Sequence, residues 1–409
     1  MFSVAEFRAL WLAQLLSVVG DQLARVALTV LVYDRTRSAL LAAVTFVVSI
    51  VPTFIGGVTL AWLADRYPRR AVMIASDAAR AALVVIMAIP GVPLVALVAL
   101  LFVVTLAGAP FLAARAAIYP DVLTGDRYVM GTAVSLTTFQ FAQVIGFAVG
   151  GVMVGFFGIR TSLLADAATF VASALIVRAW VRRRPAPATV PNDDRESPPA
   201  GARDLPRQAG VLAGARLVFA SPALRVPMLF GWLAAFYNAP EGVVTPLARA
   251  LGGGAAAVGL ILAAQALGQT VGAIVFSRFV PPAVRLRFMG PLAVATCAVL
   301  VLFAWRPSLV ISLLILIASG LFAAYQLAAN AAFVSAAPQQ QRSQAFGLAQ
   351  GGMSLGQGTV MILAGAAAQH FAPARIIAVC GAVGVLLALA IALSRARSDR
   401  PASGYGLAR

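Results

Sequence analysis

The chain has 409 residues, 61% of them hydrophobic and only 11% charged, and its mean hydropathy is +0.92. A soluble protein of this length needs a far more polar surface, so the composition calls for a polytopic membrane protein. The net charge of +17 comes from 31 basic residues, every one an arginine, against 14 acids. In such a chain arginines mark loops that face anionic lipid, and no nucleic-acid partner is expected.

Apolar runs of about twenty residues repeat through nearly the whole length, which suits spanning helices and excludes a signal peptide or a single anchor. An outer-membrane barrel would alternate apolar and polar residues over about ten positions, and this chain does not. In chain order, after a short lead-in at 2–8, helices are predicted over 10–33, 40–64, 71–89, 93–117, 129–157 and 162–180. A linker rich in Pro, Ala and charge follows at 185–206, read as disordered, and then a surface helix at 208–220. Further helices are predicted over 224–250, 255–276, 286–304, 309–334, 345–368 and 376–393, with a polar tail from Ser394. The fold class is therefore all-α with twelve transmembrane helices. The domains are a six-helix bundle at 1–184, a cytoplasmic linker at 185–223, a second six-helix bundle at 224–394 and a tail at 395–409.

Arginine placement orients the chain. With the N-terminus inside, the inner segments hold Arg66, Arg69, Arg70 and the cluster Arg182, Arg183 and Arg184, while the outer segments hold few, among them Arg35, Arg160 and Arg306. Both termini are expected in the cytoplasm. Cys297 and Cys380 lie in apolar runs and read as packing residues, and His370 stands alone, so neither a metal nor a cofactor is expected.

The two halves carry a faint internal repeat. At one constant offset Phe7-Arg8 falls on Leu224-Arg225, Asp21 on Asn238 and Ala43 on Leu260; a second, separate match joins the stretch from Arg115 to Gly131 to that from Asn330 to Gly347. Parallel repeats place two bundles side by side about a pseudo-two-fold axis, with a pathway along their seam and alternating access by rocking.

Asp21 and Arg25 lie four apart inside the first helix and therefore share a face. They read either as a structural ion pair or as a protonatable site in a central cavity. Glu241, three residues after Asn238 and between Pro240 and Pro246, has no partner at helical spacing; an acid that can gain and lose a proton in low dielectric is what proton coupling requires. Residues expected to line the same cavity are Gln14, Gln22, Trp232, Tyr237 and Gln265, together with Gln269, Tyr325, Gln326 and Asn330. Asp77, Arg80 and Arg115 are placed near the inner surface as a gating network, whereas Asp166 is an unpaired acid to which no role is assigned. Gly146, Gly150 and Gly151 allow close helix packing. There is no GxxxxGK[ST] phosphate loop and no nucleophile-base constellation, so neither an ATP-driven pump nor an enzyme is expected.

The stretch from Ala61 to Arg70, AWLADRYPRR, resembles the signature of the major facilitator superfamily, G-x-L-A-D-R-x-G-R-R. It matches at Leu63, Ala64, Asp65, Arg66, Arg69 and Arg70 and departs at Ala61 and Pro68. The resemblance implies a cytoplasmic gate in which Asp65 is held by Arg115 and the start of the segment 343–347. The opening Phe7-Arg8 to Gly20-Asp21, with Ala75 to Ala81, looks like the branch of bacterial macrolide and siderophore exporters. The antiporter signature GxxxGPxxGG survives only as Ala142, Gly146, Phe147, Gly150 and Gly151, with Phe147 in the place of proline.

These readings predict a monomeric transporter in a bacterial inner membrane, in contact with lipid, that exports small amphipathic molecules in exchange for protons. A facilitator or importer of a small metabolite and a lipid scramblase or scaffold stay open as alternatives. The exporter predicts a wide, largely apolar cavity, the metabolite carrier clustered polar groups, and the scramblase a polar groove open to lipid.

Overall fold

The computed structural model describes residues 2–185, 216, 218–338 and 342–398. Residues 186–206 of the predicted linker, most of the predicted surface helix and the tail beyond 398 lie outside them. The described residues are helical throughout and include no strand. The elements are α1 (Ala5–Thr36), α2 (Ala39–Val48), α3 (Val51–Thr59), α4 (Leu63–Arg66), α5 (Arg69–Met87), α6 (Leu94–Val122) and α7 (Asp126–Trp180). They continue as α8 (Pro222–Trp232), α9 (Ala234–Tyr237), α10 (Ala239–Gly242), α11 (Val244–Ala250), α12 (Ala255–Phe279) and α13 (Pro282–Val301). A 3-10 turn at Leu302–Trp305 leads to α14 (Leu309–Phe322), α15 (Tyr325–Ala336), α16 (Arg342–Ala367) and α17 (Pro373–Ser398).

Eight of these helical stretches are long and apolar enough to cross a membrane. Large apolar side chains stand out from them, Val95 82% and Phe156 79% exposed, as lipid-facing positions must. At about 1.5 Å per residue α7 would reach about 80 Å if straight, against an apolar bilayer core of about 30 Å. It turns back instead at Gly158, whose φ of 83° and ψ of 172° only glycine adopts without strain. The predicted break between 157 and 162 thus falls on one residue.

Two departures from the predicted helices have local causes. The lead-in is helical from Ala5, so α1 takes in Glu6 to Ala9. The predicted helix at 40–64 is interrupted at Ser49 and Ile50, because Pro52 at the start of α3 has no N–H to continue the ladder. The segment 222–250 is likewise divided into four short helices around Pro240 and Pro246, as the placement of those prolines suggested.

Packing gathers the chain into two compact units. The first takes the described residues within Met1–Ala202, Glu241–Leu267 and Met361–Pro373; the second takes those within Arg203–Pro240, Gly268–Val360 and Ala374–Arg409. In the first, both arms of α7 grip α1: Gly146 and Gly150 lie against Gln22 and Leu23, and Thr169 lies against Gly20. One core of this unit joins Phe7, Leu10, Met73, Phe111, Ile118 and Val177. α12 enters it through Gly259, where an added Cβ would come within 2.6 Å of the Gly151 Cα. Gly259→Val should therefore force the two backbones apart, lowering stability by about 1–3 kcal/mol. Thermal unfolding in detergent checks this, and an unchanged melting temperature would show that the contact can relax.

In the second unit α13 and α14 are tied by reciprocal hydrogen bonds, Ser319 Oγ to the Thr296 carbonyl at 2.9 Å and Thr296 Oγ1 to the Ser319 carbonyl at 3.2 Å. Val218, Leu224, Met228, Phe333 and Ala345 form one of its cores. Cys297 is buried and Cys380 half-buried, both free thiols.

Candidate functional site

Gln14, Ser17, Asp21 and Arg25 recur at helical spacing along one face of α1, and that face borders a cavity of about 170 Å³ in the first unit. Gln22 from α1, Ser49 and Thr53 from the break between α2 and α3 and the start of α3, Arg80 from α5, Thr105 and Arg115 from α6, and Gln143 and Asp166 from the two arms of α7 complete its polar lining.

Arg80 organises the site. Its side chain is 5% exposed, it forms an ion pair with Asp21 and donates to Ser17 Oγ at 3.0 Å, and Asp77 Oδ1 lies 3.9 Å away. The guanidinium also stacks 4.0 Å from the Phe170 ring centre. Asp77 is fully buried and accepts from Ser173 Oγ at 2.6 Å. A buried charge persists only when paired and hydrogen-bonded, and here one cation serves carboxylates on two helices.

The ion pair expected between Asp21 and Arg25 is replaced by this one. Arg25 donates instead to the Ser49 carbonyl at 3.0 Å, where α2 ends, and lies between the rings of Phe46 and Phe147 at 5.5 and 5.9 Å. A carbonyl at a helix C-terminus attracts a cation, and two ring faces add to that attraction. Asp21 and Glu241 are the acids whose charge reaches Arg25, so Glu241, half-buried, joins the edge of the same charge cluster.

Two groups had no such role in the sequence. Asp166 is fully buried, and the neighbouring Thr169 hydroxyl donates to its backbone carbonyl at 2.7 Å, which leaves neither carboxylate oxygen with a hydrogen-bond partner. It sits against Gly20, where a Cβ would collide with it, and the charges that reach it are those of Asp21 and Arg80. Arg115, expected at the gate with Asp65, lines the cavity instead. Its guanidinium lies 5.8 Å from the Tyr119 ring, and Nε and Nη1 are buried without a partner.

Asp77 and Arg80 also belong to this interior network rather than to the gate, because Arg80 reaches across to α1. The other signature residues anchor the turn between α4 and α5. Arg69 bonds Asp121 at 2.7 Å and the Ala117 carbonyl at 2.8 Å, and Arg70 donates to the Arg178 carbonyl. Both arginines thus cap the last turns of α6 and α7. Asp65 and Arg66 are exposed.

At the other end of α1 a terminal nitrogen of Arg249 lies 2.8 Å from each carboxylate oxygen of Asp34, and Gln369 Nε2 donates to Ser38 Oγ at 3.0 Å. Residues from 241–267 and 361–373 are thereby fastened to the α1–α2 corner.

The remaining predicted cavity residues divide by position. Gln22 and Gln265 are buried in the first unit, and Gln22 lines the cavity. In the second unit Gln269 Nε2 donates to Asn238 Oδ1 at 3.3 Å, and Gln326 Nε2 donates to the Gly231 carbonyl at 3.0 Å and to the Tyr237 hydroxyl at 3.2 Å. Tyr325 is fully buried and donates to the Phe230 carbonyl at 3.0 Å, so it packs rather than lines a space. Trp232, Gln326 and Asn330 border a cavity of about 60 Å³ in that unit. A groove of about 450 Å³ along α5 and α6 is lined by Leu60, Leu63, Val72 and Pro110, with no charged side chain, and supplies no polar path for a lipid headgroup.

The sequence profile of the Major Facilitator Superfamily matches residues 10–241 and 239–406. The chain belongs to the Major Facilitator Superfamily. Membership in it makes the chain a multi-pass membrane transporter rather than an enzyme. Among relatives in this superfamily, the enterobactin exporters EntS of Salmonella typhimurium and Salmonella typhi are each 27% identical over 277 residues, covering 66% of this chain. The match spans 62% of the length of those relatives.

Solved structures share the fold. A POT family transporter in complex with 5-aminolevulinic acid superposes with a TM-score of 0.72 at 12% identity, covering 96% of each chain. A bacterial homologue of the human lysosomal transporter Spinster, inward-facing and unoccupied, gives 0.68 at 16% identity over 98% of each chain. The nucleoside transporter NupG gives 0.69 at 15% identity over 94% of this chain and 99% of its own.

Proposed function

We propose that this superfamily member is a secondary exporter of amphipathic organic molecules in a bacterial inner membrane, driven by proton entry. Both termini face the cytoplasm, and the transporter works as a monomer. Counting the two arms of α7 separately and adding α5, the broken segment 222–250 and α16 brings its eight apolar stretches to twelve crossings, in two six-helix halves.

The observation that carries the reading is the set of acids around Arg80. Asp21 and Asp166 both lie within reach of this single buried cation, and only Asp21 is paired with it. Asp166 can lose a proton without a large cost only if Arg80 turns toward it and releases Asp21. Protonation is thereby tied to how α1, α5 and the second arm of α7 hold together, which is the bistable element that alternating access requires. The likeness to enterobactin exporters supports outward movement of an amphipathic cargo. Glu241 beside Arg25 is a second acid available to the cycle.

One observation favours a second reading, a carrier of a small polar metabolite. The cavity is small and has five charged side chains, Asp21, Arg25, Arg80, Arg115 and Asp166, where an exporter of bulky drugs is expected to keep few. Proteoliposomes loaded with a pH-sensitive dye and offered hydrophobic drugs, siderophores, sugars, amino acids and nucleosides separate the two. Proton movement evoked by the amphipathic compounds supports the exporter, and movement evoked by the small polar solutes alone replaces it with the second reading. Asp65→Asn or Arg66→Ala should slow the flux and leave binding largely intact.

The Asp34–Arg249 ion pair is read as an outer latch. Asp34→Cys with Arg249→Cys should cross-link with a short bifunctional thiol reagent, and transport should fall at least about tenfold and return on reduction. Undiminished transport after cross-linking would show that this corner does not move.

A further inference from the structure

The cations of the cavity are matched except at one point. Arg80 has Asp21 and Asp77, and Arg25 has the Ser49 carbonyl with Asp21 and Glu241 in reach. Among the described residues no acid pairs with Arg115, and Tyr119 is the titratable neighbour whose charge would act on it. Its Nε and Nη1 are buried with no acceptor, in an element that crosses the membrane. An uncompensated cation in that setting is expensive, and such residues in transporters face a pathway and await a partner.

The surroundings hold this guanidinium in place without neutralising it. Tyr119, one turn further along α6, lies beneath it and shares a 2.5 Å hydrogen bond with Ser135 Oγ. The Ser135 carbonyl accepts from Gln14 Nε2 at 3.1 Å. That bond fixes the Gln14 amide, 3% exposed, and leaves its Oε1 without a donor. Gln14 and Arg115 line the same cavity. A donor pair on a buried cation and a lone acceptor on a fixed amide therefore stand on α6 and α1, linked through Tyr119 and Ser135.

We propose that Arg115 and Gln14 form a recognition subsite for an anionic oxygen group, a carboxylate or an ionised phenol, on the transported molecule, with an adjacent hydroxyl donating to Gln14. The inference rests on the transporter reading and narrows its cargo to amphipathic acids. An acid supplies the counter-ion that the fold omits, through charge-assisted bonds to the guanidinium fork. Its apolar body would lie along Leu101, Val104 and Phe111, which line the same cavity.

The test compares 3-hydroxy-2-naphthoate with its methyl ester, which have the same apolar body and the same adjacent hydroxyl and differ in charge, by titration calorimetry on the full chain in lipid nanodiscs. Wild-type protein should bind the acid about tenfold or more tightly than the ester. Arg115→Gln should abolish that preference, and Arg115→Lys should keep part of it. Gln14→Ala should weaken the acid severalfold. Because Arg115 Nε and Nη1 have no acceptor within the protein, Arg115→Gln should melt at the same temperature as wild type or higher, so loss of binding cannot be ascribed to unfolding. The proposal is overturned if wild type does not prefer the acid, if the preference survives in Arg115→Gln, or if that variant unfolds, since unfolding would mean that the arginine is internally paired. Intact acid recognition with no proton-coupled flux in proteoliposomes would instead sink the antiport reading and leave the subsite standing.

Discussion

Arg80→Gln is expected to lower stability by about 3–5 kcal/mol, the largest loss for a single substitution in the site. Glutamine ends two bonds short of the nitrogen that donates to Ser17, leaves the fully buried Asp77 and the half-buried Asp21 without a cation, and removes the stack on Phe170. The stack alone is worth about 2 kcal/mol when desolvated. Asp77→Asn should cost less, because the amide oxygen still accepts from Ser173 and Arg80 retains Asp21. In the double variant, Arg80→Gln with Asp77→Asn, part of the loss should return, since the fully buried carboxylate that loses Arg80 is then neutral. Thermal and denaturant unfolding of the purified variants, with gel filtration to confirm the folded starting state, measures all three. A loss below about 0.5 kcal/mol for Arg80→Gln would mean that water reaches the pair and screens it.

That network shows where reading the chain ends. The apolar runs and the arginine-rich turns speak for themselves, because a bilayer of fixed thickness imposes length and composition locally. Pro240 and Pro246 announced a broken segment for the same reason: a missing N–H acts on its own helix. Helical spacing, by contrast, shows only neighbours on one face, so Asp21 and Arg25 were matched to each other while the true partner of Asp21 lay on α5. Arg80 was assigned to a gate because its distance along the sequence from the signature turn is short; the length of its side chain carries it to α1. Asp166 has no local signal at all. Its significance comes from what is missing around it, and a missing donor is visible only once α1, α5 and α7 are assembled. The turn that resembles the superfamily signature is legible as a motif, yet the bonds of Arg69 and Arg70 to the ends of α6 and α7 follow from helix geometry rather than from the motif.

Asp166→Asn is expected to uncouple transport from protons. The amide cannot exchange a proton, so substrate-evoked proton flux should fall at least about tenfold. Substrate binding should stay within about threefold, because the group lies against Gly20 and Thr169 and is closed to solvent. Stability should hold or rise, since asparagine is neutral and nearly isosteric and removes a carboxyl that has no hydrogen-bond partner. The comparison with Asp21→Asn is what gives the experiment its force. If the two acids compete for Arg80, Asp21→Asn frees the cation to pair permanently with Asp166, and the transporter should be held in one state with both transport and exchange slowed. Asp166→Asn should leave Arg80 with Asp21 and permit substrate exchange without proton movement. Proteoliposome flux and counterflow exchange, measured side by side, distinguish these outcomes. Coupling that survives in Asp166→Asn but disappears in Glu241→Gln would move the proton step to the acid beside Arg25. Coupling that survives in all three variants would remove proton exchange from this cavity altogether, and with it the reason proposed here for placing four acids and three arginines among these helices.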